Sequence, residues 1–237
     1  MTDALDDARV RAGMERQLAE RTRVLAEGQH GIGWKVGFGT PSAMEMLGTS
    51  APIVGFLTDG RQVPDGGSCA VGDWGQPKFE PEIAVHLGRD LASGADLDQV
   101  RGAISGLGPA IELVDFDAVT KDVEELLATN VIHRCVVLGE ADPARAGAVT
   151  DGLAVEVRRD GERIAGTSDP VDAVGDLVGI VAHVADVLGG LGTGLRAGEV
   201  IITGSTVLPP LPLEPDATGT YTYELSPVGA VSVQITD

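Results

Sequence analysis

The stretch of residues 77–91, PKFEPEIAVHLGRDL, predicts a β-strand with two acids on one face. Glu80 and Glu82 are two residues apart, so their side chains point to the same side of the strand. Their Cβ atoms should be roughly 6–7 Å apart at ~3.3 Å of rise per residue. The residues of opposite parity are all apolar: Phe79, Pro81, Ile83, Val85 and Leu87. Two carboxylates beside a hydrophobic face are costly unless a positive charge compensates them.

A third acid, Glu112, lies inside the apolar run 110–114, AIELV, of the segment PAIELVD at 109–115. Three acids on two buried strands are typical of a site for a hard divalent cation, and they predict Mg²⁺ or Mn²⁺ rather than zinc. The alternative for Glu80 and Glu82 is a solvent-exposed sheet face. For Glu112 the alternative is a buried ion pair with a basic residue.

Composition and charge limit the functions that the chain can have. The chain has 237 residues, enough for one large domain with a substantial core. Aromatic residues make up only 3% and glycine is frequent, so small aliphatic residues must do most of the packing. The net charge of −19 argues against nucleic acid or an anionic membrane as a partner. The negatively charged protein would repel an anionic substrate, so a local cation must make the electrostatic potential at the site positive.

The cysteines and the N-terminus indicate an intracellular protein. Cys69 and Cys135 are the only cysteines, and two buried free thiols in a reducing compartment are expected. The acidic N-terminus shows no secretory signal, and no apolar run approaches the ~20 residues of a membrane span. We therefore expect a cytoplasmic protein without a membrane segment.

The remaining pattern predicts a strand-rich body with covering helices. A surface helix is expected over residues 3–27, and a second, long helix over about 170–188, with Asp169 as its N-cap. Asp96 and Gln99 form a capping box for a shorter helix over 96–105. Alternation around Asp160-Gly161 predicts a hairpin. The other predicted strands are 33–38, 53–58, 79–87, 109–114, 131–138, 199–203, 220–225 and 230–235. Residues 208–215 are predicted to form a connecting loop.

These elements predict an α+β fold with mixed or antiparallel sheets. We expect two regions: an N-terminal helical region over residues 1–30 and a metal-binding catalytic body over residues 31–237.

Five segments, in order, resemble a known family: GWKVGF at 33–38, PIVGFLTD at 52–59, EPEIAVHLGRDL at 80–91, GPAIELVD at 108–115 and LRAGEVIITGS at 195–205. They are similar to the 2-keto-4-pentenoate hydratase / 2-oxohex-3-enedioate decarboxylase family of the fumarylacetoacetate hydrolase superfamily. The resemblance covers nearly the whole chain. It implies a twisted, incompletely closed β-roll with flanking helices, one Mg²⁺ or Mn²⁺ held by three acids, and 2-oxo acid substrates that chelate the metal.

Carried over residue by residue, the family's metal ligands fall on Glu80, Glu82 and Glu112, and its pocket lysine falls on Lys35. The chain departs from the family pattern at three places, one of which is the segment 129–132, TNVI, where the family usually has Asp-Asn-x-Ser. Ile53 stands where hydratases commonly carry an acid, and Asp169 stands where a histidine often starts the long helix. The departure at Ile53 resembles the decarboxylase branch.

The resemblance implies a metal-dependent lyase. Its leading form is a hydratase that converts a 2-hydroxy-2,4-dienoate into a 4-hydroxy-2-oxo acid. A decarboxylase acting on 2-oxohex-3-enedioate (4-oxalocrotonate) is the first alternative, because both reactions use the same electron sink. An acylpyruvate C–C hydrolase and a non-catalytic partner subunit are the others. For the hydrolase, His30 is the only histidine in the N-terminal region.

Lys35 is the candidate catalytic residue, for proton transfer or substrate binding, unless it is an exposed strand lysine. His133 and Arg134 are candidate ligands for a substrate carboxylate, on opposite faces of one strand, although a structural histidine is equally consistent. His86 shares the parity of the two acids and is a candidate orienting residue. The segment Gly204-Ser205-Thr206 directly follows a strand and offers backbone N–H and hydroxyl donors to an anion, or it forms a plain turn. We expect a homo-oligomer that can also form a complex with a pathway partner enzyme.

Overall fold

Two β-sheets organise the chain, which the computed structural model describes over residues 4–214 and 217–237. The helices are α1 (Ala8–Ala26), α2 (Pro41–Leu47), α3 (Leu97–Ala103), α4 (Val123–Ala128), α5 (Val171–Val174) and α6 (Leu177–Gly190). The strands are β1 (Gly31–Gly37), β2 (Ile53–Thr58), β3 (Ser68–Ala70), β4 (Pro77–Leu87), β5 (Ile104–Asp115), β6 (His133–Leu138), β7 (Ala154–Arg159), β8 (Glu162–Thr167), β9 (Val200–Ser205), β10 (Leu211–Pro212), β11 (Gly219–Ser226) and β12 (Gly229–Thr236).

The larger sheet has the order β2-β1-β9-β4-β5-β6, and β10 pairs with β4 outside this path. The smaller sheet has the order β3-β12-β11-β7-β8. The β1–β9 and β3–β12 pairs are parallel, and the other neighbours are antiparallel. The predicted α+β class with mixed sheets is confirmed.

The long pair of β4 and β5 forms the centre of the larger sheet. Phe79, Ile83, Val85 and Leu87 of β4 are all buried, as their shared parity predicted. Ala84, of the opposite parity, is also buried. Both faces of β4 are therefore covered, so an acid on this strand cannot escape to solvent simply by facing away from the core.

The N-terminal helix packs closely on the body. Asp7 caps α1, which ends at Ala26, and a short 3₁₀ turn precedes it. Asp3, the first residue of the predicted helix, lies outside the described residues. A Cβ at Gly13 would stand 2.8 Å from Leu127 Cβ, so only glycine permits this approach of α1 to α4. The buried Gln17 amide donates to the carbonyls of Val54 and Leu127.

The predicted helix over 170–188 is corrected to two helices, α5 and α6. Gly175 lies between them with a φ of +84°, a conformation that ends the first helix. The N-cap of the long helix is therefore Asp176, which accepts from the Val178 N–H, and not Asp169. Asp169 instead accepts a hydrogen bond from Asp172 N in the short helix.

Other boundaries differ less. The capping box of Asp96 and Gln99 is confirmed, but its helix ends at Ala103 because β5 starts at Ile104, five residues before the predicted strand. The hairpin of β7 and β8 is confirmed, with positive φ at Asp160 and Gly161. The last residue of the predicted loop 208–215, Pro215, lies outside the described residues. Among those residues, no helix has the length and apolarity needed to cross a bilayer.

Candidate metal centre and active-site cavity

Three acids meet at the centre of the larger sheet. Glu80 and Glu82 lie on β4, and Glu112 on β5 is the register partner of Glu80. One carboxylate oxygen from each lies within 4.8 Å of the others. Like charges directly opposite one another destabilise a sheet, so this arrangement needs a compensating cation.

Two oxygens of this cluster are buried without any hydrogen-bond partner among the described residues: Glu82 Oε1 and Glu112 Oε2. The second oxygen of each carboxylate is bonded, because Glu82 Oε2 accepts from Gly204 N at 2.7 Å and Glu112 Oε1 accepts from two side chains. An unpaired buried carboxylate oxygen is expensive. Oxygen donors of this kind fit a hard divalent cation, which supplies the missing partner.

The pKa values of the three acids reflect their burial and the repulsion between their charges. Burial raises the pKa of Glu80 to about 8, and the charge of Glu112 adds to the effect. Burial also raises the pKa of Glu82 well above its ordinary value, with Glu112 contributing next. Glu112 differs: although burial opposes it, the Lys35 charge and the hydrogen bond from His133 lower its pKa. Without a cation, Glu112 is thus the most acidic member of the cluster.

Lys35 supports Glu112 from the neighbouring strand β1. Its side chain is only 2% exposed, and Nζ donates to Glu112 Oε1 at 2.5 Å and to the Val131 carbonyl at 3.1 Å. Its register partner on β2 is Gly55, where a Cβ would lie 2.8 Å from Lys35 Cγ. The glycine therefore leaves the space in which the lysine stem packs. The interpretation of Lys35 as an exposed strand lysine is wrong.

His133 holds the same oxygen from β6. Its Nδ1 is 2.7 Å from Glu112 Oε1, and its side chain is buried. Burial lowers the pKa of His133 against the opposing effect of Glu112. The lowered pKa favours the neutral imidazole, in which Nδ1 faces the carboxylate and is the nitrogen assigned the proton. His133 orients Glu112 and does not line the cavity described below.

A left-handed turn precedes His133 and shapes the site. Asn130, Val131 and Ile132 have φ values of +58°, +53° and +58°. Such values are strained for the β-branched Val131 and Ile132. The Asn130 amide clamps the turn to β2, because it accepts from Phe56 N at 2.8 Å and donates to Phe56 O at 2.9 Å. The turn presents the Val131 carbonyl to Lys35 Nζ.

A cavity of about 550 Å³ opens beside Lys35 and Glu80. Its other lining residues are mostly apolar or backbone: Val36, Gly37, Phe38, Gly39, Thr40, Ser42, Ala43, Met46, Pro52, Phe116, Val119, Val131, Ile132, Ala173, Val174, Ile180, Thr203, Gly204, Ser205, Leu208 and Pro210. Lys35 is the one basic residue among those described in the lining. The cavity thus has a charged end at the acid cluster and an apolar remainder.

The structure places the other candidates apart from this cavity. Arg134 donates to Asp115 Oδ2 at 3.1 Å and lies over the Trp74 ring, so it does not line the cavity. His30 is exposed and pairs with Asp59. His86 lies further along β4, beside Gly106 and Val200.

The two hydroxyl candidates use their protons inside the protein. Ser205 lines the cavity, but its hydroxyl donates to the Val207 carbonyl at 2.7 Å. The Thr206 hydroxyl donates to the Pro81 carbonyl at 2.8 Å, and Thr206 does not line the cavity. Their role as donors to a substrate stays a prediction.

Sequence reasoning missed three contributors to the site: Gly55, Asn130 and the Val131 carbonyl. Gly55 and the Val131 carbonyl act through the backbone, which side-chain patterns do not reveal. Asn130 carried one usable signal, because asparagine is the non-glycine residue that most readily takes a positive φ.

Comparisons with known proteins agree with this geometry. The family model described as fumarylacetoacetate (FAA) hydrolase C-terminal matches residues 35–220. The chain is 30% identical over 218 residues to the 2-hydroxyhexa-2,4-dienoate hydratase of Comamonas testosteroni, which covers 90% of this chain and 81% of that protein.

Two solved structures of 4-oxalocrotonate decarboxylase from Pseudomonas putida G7 are also similar. One is complexed with calcium and acetate, with 28% identity and a TM-score of 0.80. The other is complexed with magnesium and adipate, with 27% identity and a TM-score of 0.79. Each match covers 93% of this chain and 83% of the other. The family model and these matches, which extend over most of the sequence, show that the chain belongs to the fumarylacetoacetate hydrolase family.

Proposed function

We propose that this chain is a divalent-metal-dependent hydratase that converts a 2-hydroxy-2,4-dienoate into a 4-hydroxy-2-oxo acid. One observation carries the choice: Lys35 and Glu80, one of the three acids, line a cavity that offers no second cationic residue among its described lining residues. A substrate with one carboxylate fits such a cavity. The hydratase among the related proteins supports the same reaction class.

Glu80, Glu82 and Glu112 would hold the ion, for which we propose Mg²⁺ or Mn²⁺ because all three donors are carboxylate oxygens. When bound, the ion acts as a Lewis acid toward the carboxylate and C2 oxygen of a 2-oxo acid. The lone oxygens Glu82 Oε1 and Glu112 Oε2 are the donors that the protein leaves without another partner among the described residues.

Lys35 is the residue that we assign to proton transfer. An ammonium group has three N–H donors, and Glu112 and the Val131 carbonyl take two of them. The third N–H is left for an oxygen or carbon of the substrate in the cavity. Because Lys35 is fixed at two points, its proton is held at a defined position. His133 keeps Glu112 oriented toward Lys35.

A 4-oxalocrotonate decarboxylase is the second candidate, because two solved structures of that enzyme match the chain with TM-scores of 0.80 and 0.79. This reaction needs a cationic anchor for a second carboxylate. Arg134 was the candidate, and it is engaged by Asp115 and Trp74 away from the cavity. The hydratase reaction is therefore the leading proposal, and the decarboxylase reaction is the second. The exposed His30–Asp59 pair gives no support to the hydrolase alternative, and the complete acid cluster argues against a non-catalytic subunit.

A screen of 2-hydroxydienoates and 2-oxo-enedioates separates these reactions. Loss of the dienol absorbance with Mg²⁺ present, formation of a 4-hydroxy-2-oxo acid, and no released carbon dioxide would support the hydratase. Carbon dioxide from an enedioate, lost in Arg134→Ala while monocarboxylate turnover is kept, would overturn the assignment. Full activity after exhaustive chelation would contradict a metal-dependent reaction of either kind.

The role of Lys35 is tested by Lys35→Met, with the exposed Lys121→Met as a matched control. We expect kcat to fall by about 10²–10⁴-fold in the first variant, the usual range for a lost general acid–base group. The Lys121 variant should match the parent enzyme. Parent-like turnover by Lys35→Met across pH would show that the lysine is structural.

The homo-oligomer, the pathway partner, the cytoplasmic location and the division at residue 30 stay predictions. Light scattering of the purified protein tests the first, and a truncated chain that starts at residue 31 tests the last. Because Gln17 bonds two carbonyls of the body, we expect the truncated chain to be less stable than the parent.

A further inference from the structure

The cavity is larger than a five-carbon dienoate requires. Its volume of about 550 Å³ lies within the ~300–1,000 Å³ typical of pockets for drug-sized ligands. Only one end carries the charged residues Lys35 and Glu80. The space beyond them is bounded by α2, by α5 and α6, and by residues 208–210.

Two exposed hydrophobic side chains belong to this apolar part. Met46 on α2 is 39% exposed, and Leu208 is 50% exposed. A single exposed apolar side chain needs no explanation. Two that line the same cavity form an apolar surface that a bound molecule can cover.

We infer that the substrate carries an apolar tail that extends past the dienoate, against Met46 and Leu208. The inference rests on the proposed function, which places the 2-oxo acid head at the acid cluster. The tail is uncharged, because Lys35 is the sole basic side chain that the described lining provides. The substrate class is therefore a 2-hydroxydienoate with an extended alkyl or aryl substituent.

A homologous series of 2-hydroxy-2,4-dienoates tests this inference on the metal-loaded enzyme. If the tail is buried, kcat/KM should rise about fourfold for each added methylene, the factor that corresponds to ~0.8 kcal/mol per buried CH₂. Ala43→Leu narrows the cavity, and Met46→Glu places a charge in its apolar part. In both variants the ratio of kcat/KM for a long tail to that for a short tail should fall about tenfold. Leu97→Glu, at a more exposed position on α3 outside the cavity lining, should leave the ratio unchanged.

The outcomes distinguish the inference from the proposed function. If kcat/KM is flat or falls as the tail lengthens, the inference is overturned and the hydratase assignment stands. If Met46→Glu and Leu97→Glu give the same ratio, the tail does not lie against α2, and the inference is also overturned. If no dienoate of any length is turned over with Mg²⁺ or Mn²⁺, both are overturned.

A different observation concerns the only two cysteines. Cys69 Sγ and Cys135 Sγ are 3.2 Å apart, although 66 residues separate them in the sequence. Cys69 is buried on β3 of the smaller sheet, and Cys135 is half-buried on β6 of the larger sheet. The hydrogen bond from Cys69 lowers the pKa of the Cys135 thiol, and the charges of Arg61 and Arg134 add to this against the effect of burial. A lower pKa favours the reactive thiolate.

The geometry points to an oxidisable dithiol that a peroxide converts into a disulfide between the two sheets. The Cys135 sulfur attacks one peroxide oxygen, the O–O bond breaks, and water leaves with the thiol proton. The resulting sulfenic acid is then attacked by the Cys69 sulfur, which displaces the hydroxyl group as a second water. Two thiols lose one proton and one electron each, and the peroxide is reduced to two waters.

Intact-protein mass after one equivalent of hydrogen peroxide provides the test. We expect the parent chain to lose the mass of two hydrogen atoms and to retain no thiol that can be alkylated after denaturation. Cys69→Ser should instead stop at a sulfenic acid on Cys135, which a dimedone-type reagent captures. Two free thiols in the treated parent would overturn the inference, and so would a sulfinic acid at Cys135 beside a reduced Cys69.

Discussion

At the residue scale, the three acids of the site differ in the number of hydrogen bonds that their carboxylates accept. Glu112 has two donors on one oxygen, Glu82 has one backbone donor, and each keeps one buried oxygen without a partner among the described residues. A bound cation would complete both carboxylates. Glu112 would thus serve both groups, because its Oε1 accepts from Lys35 and His133 and its Oε2 remains available to a cation.

Glu82→Gln should abolish turnover and metal binding while it leaves the metal-free protein at least as stable as the parent. The amide removes a buried charge that burial and Glu112 both disfavour. Thermal unfolding with and without Mg²⁺ measures this: the parent should gain stability with the ion, and the variant should not. The exposed Glu162→Gln should behave as the parent does. An equal Mg²⁺-dependent shift in both variants would exclude Glu82 as a ligand.

Metal binding should depend on pH through Glu80. Its pKa of about 8 in the metal-free protein, against 4.5 for the ordinary group, means that the folded chain keeps a proton that the unfolded chain has lost. The stability of the metal-free protein should therefore fall as the pH rises from about 4.5 to about 8. Binding of Mg²⁺ at pH 7 should release protons.

Calorimetry in two buffers of different ionisation enthalpy counts these protons. Glu80→Gln should flatten the pH dependence of unfolding in the metal-free protein. If Mg²⁺ binding releases no protons at pH 7, the raised pKa of Glu80 is not a property of this site.

At the scale of elements, the left-handed turn at 130–132 connects β2, α4 and β6 to Lys35. The strand predicted to start at Val131 therefore starts two residues later, at His133, because positive φ values are incompatible with extended strand geometry. The cost of this conformation is offset by the two Asn130 bonds to Phe56.

Asn130→Ala should lower the free energy of unfolding by roughly 1–3 kcal/mol, since the backbone groups of Phe56 lose their partners and alanine resists a positive φ. It should also reduce kcat, because the Val131 carbonyl no longer holds Lys35 Nζ in place. Urea unfolding and steady-state kinetics measure both effects. Asn130→Asp keeps the acceptor for Phe56 N but loses the donor to Phe56 O. Its free energy of unfolding should therefore lie between those of the parent and Asn130→Ala. An unfolding free energy equal to the parent's in Asn130→Ala would show that the clamp is dispensable.

The three acids of the site could be predicted from the sequence, but many of the contacts around them could not. The period-2 spacing of Glu80 and Glu82 and the apolar run around Glu112 are local features, so the sequence carries them directly. The exclusion of Arg134 from the cavity depends on Asp115 and Trp74, which lie 19 and 60 residues away in the sequence. The division of the predicted 170–188 helix depended on Gly175, because Val171, Val174 and Val178 form an apolar stripe that continues across it.

At the scale of the whole molecule, the net charge of −19 opposes the approach of an anionic substrate. The kcat/KM of the metal-saturated enzyme should therefore rise, on the order of twofold, between about 10 mM and 150 mM salt as the Debye length falls from ~30 Å to ~8 Å. Turnover at limiting substrate with free Mg²⁺ held constant measures this. A decrease with salt would mean that the local field of Lys35 and the ion dominates the approach.

The two unpaired carboxylate oxygens also have a consequence for the life of the protein in a cell. Because the ion would satisfy groups in the middle of the larger sheet, its loss should increase the fraction of chains that open transiently. Proteases act on that fraction, so the abundance of the protein should follow the supply of divalent ions even when its synthesis is constant. The metal would then set how long each copy survives, and a Glu82→Gln copy, which lacks the buried charge, should persist when the ion is scarce.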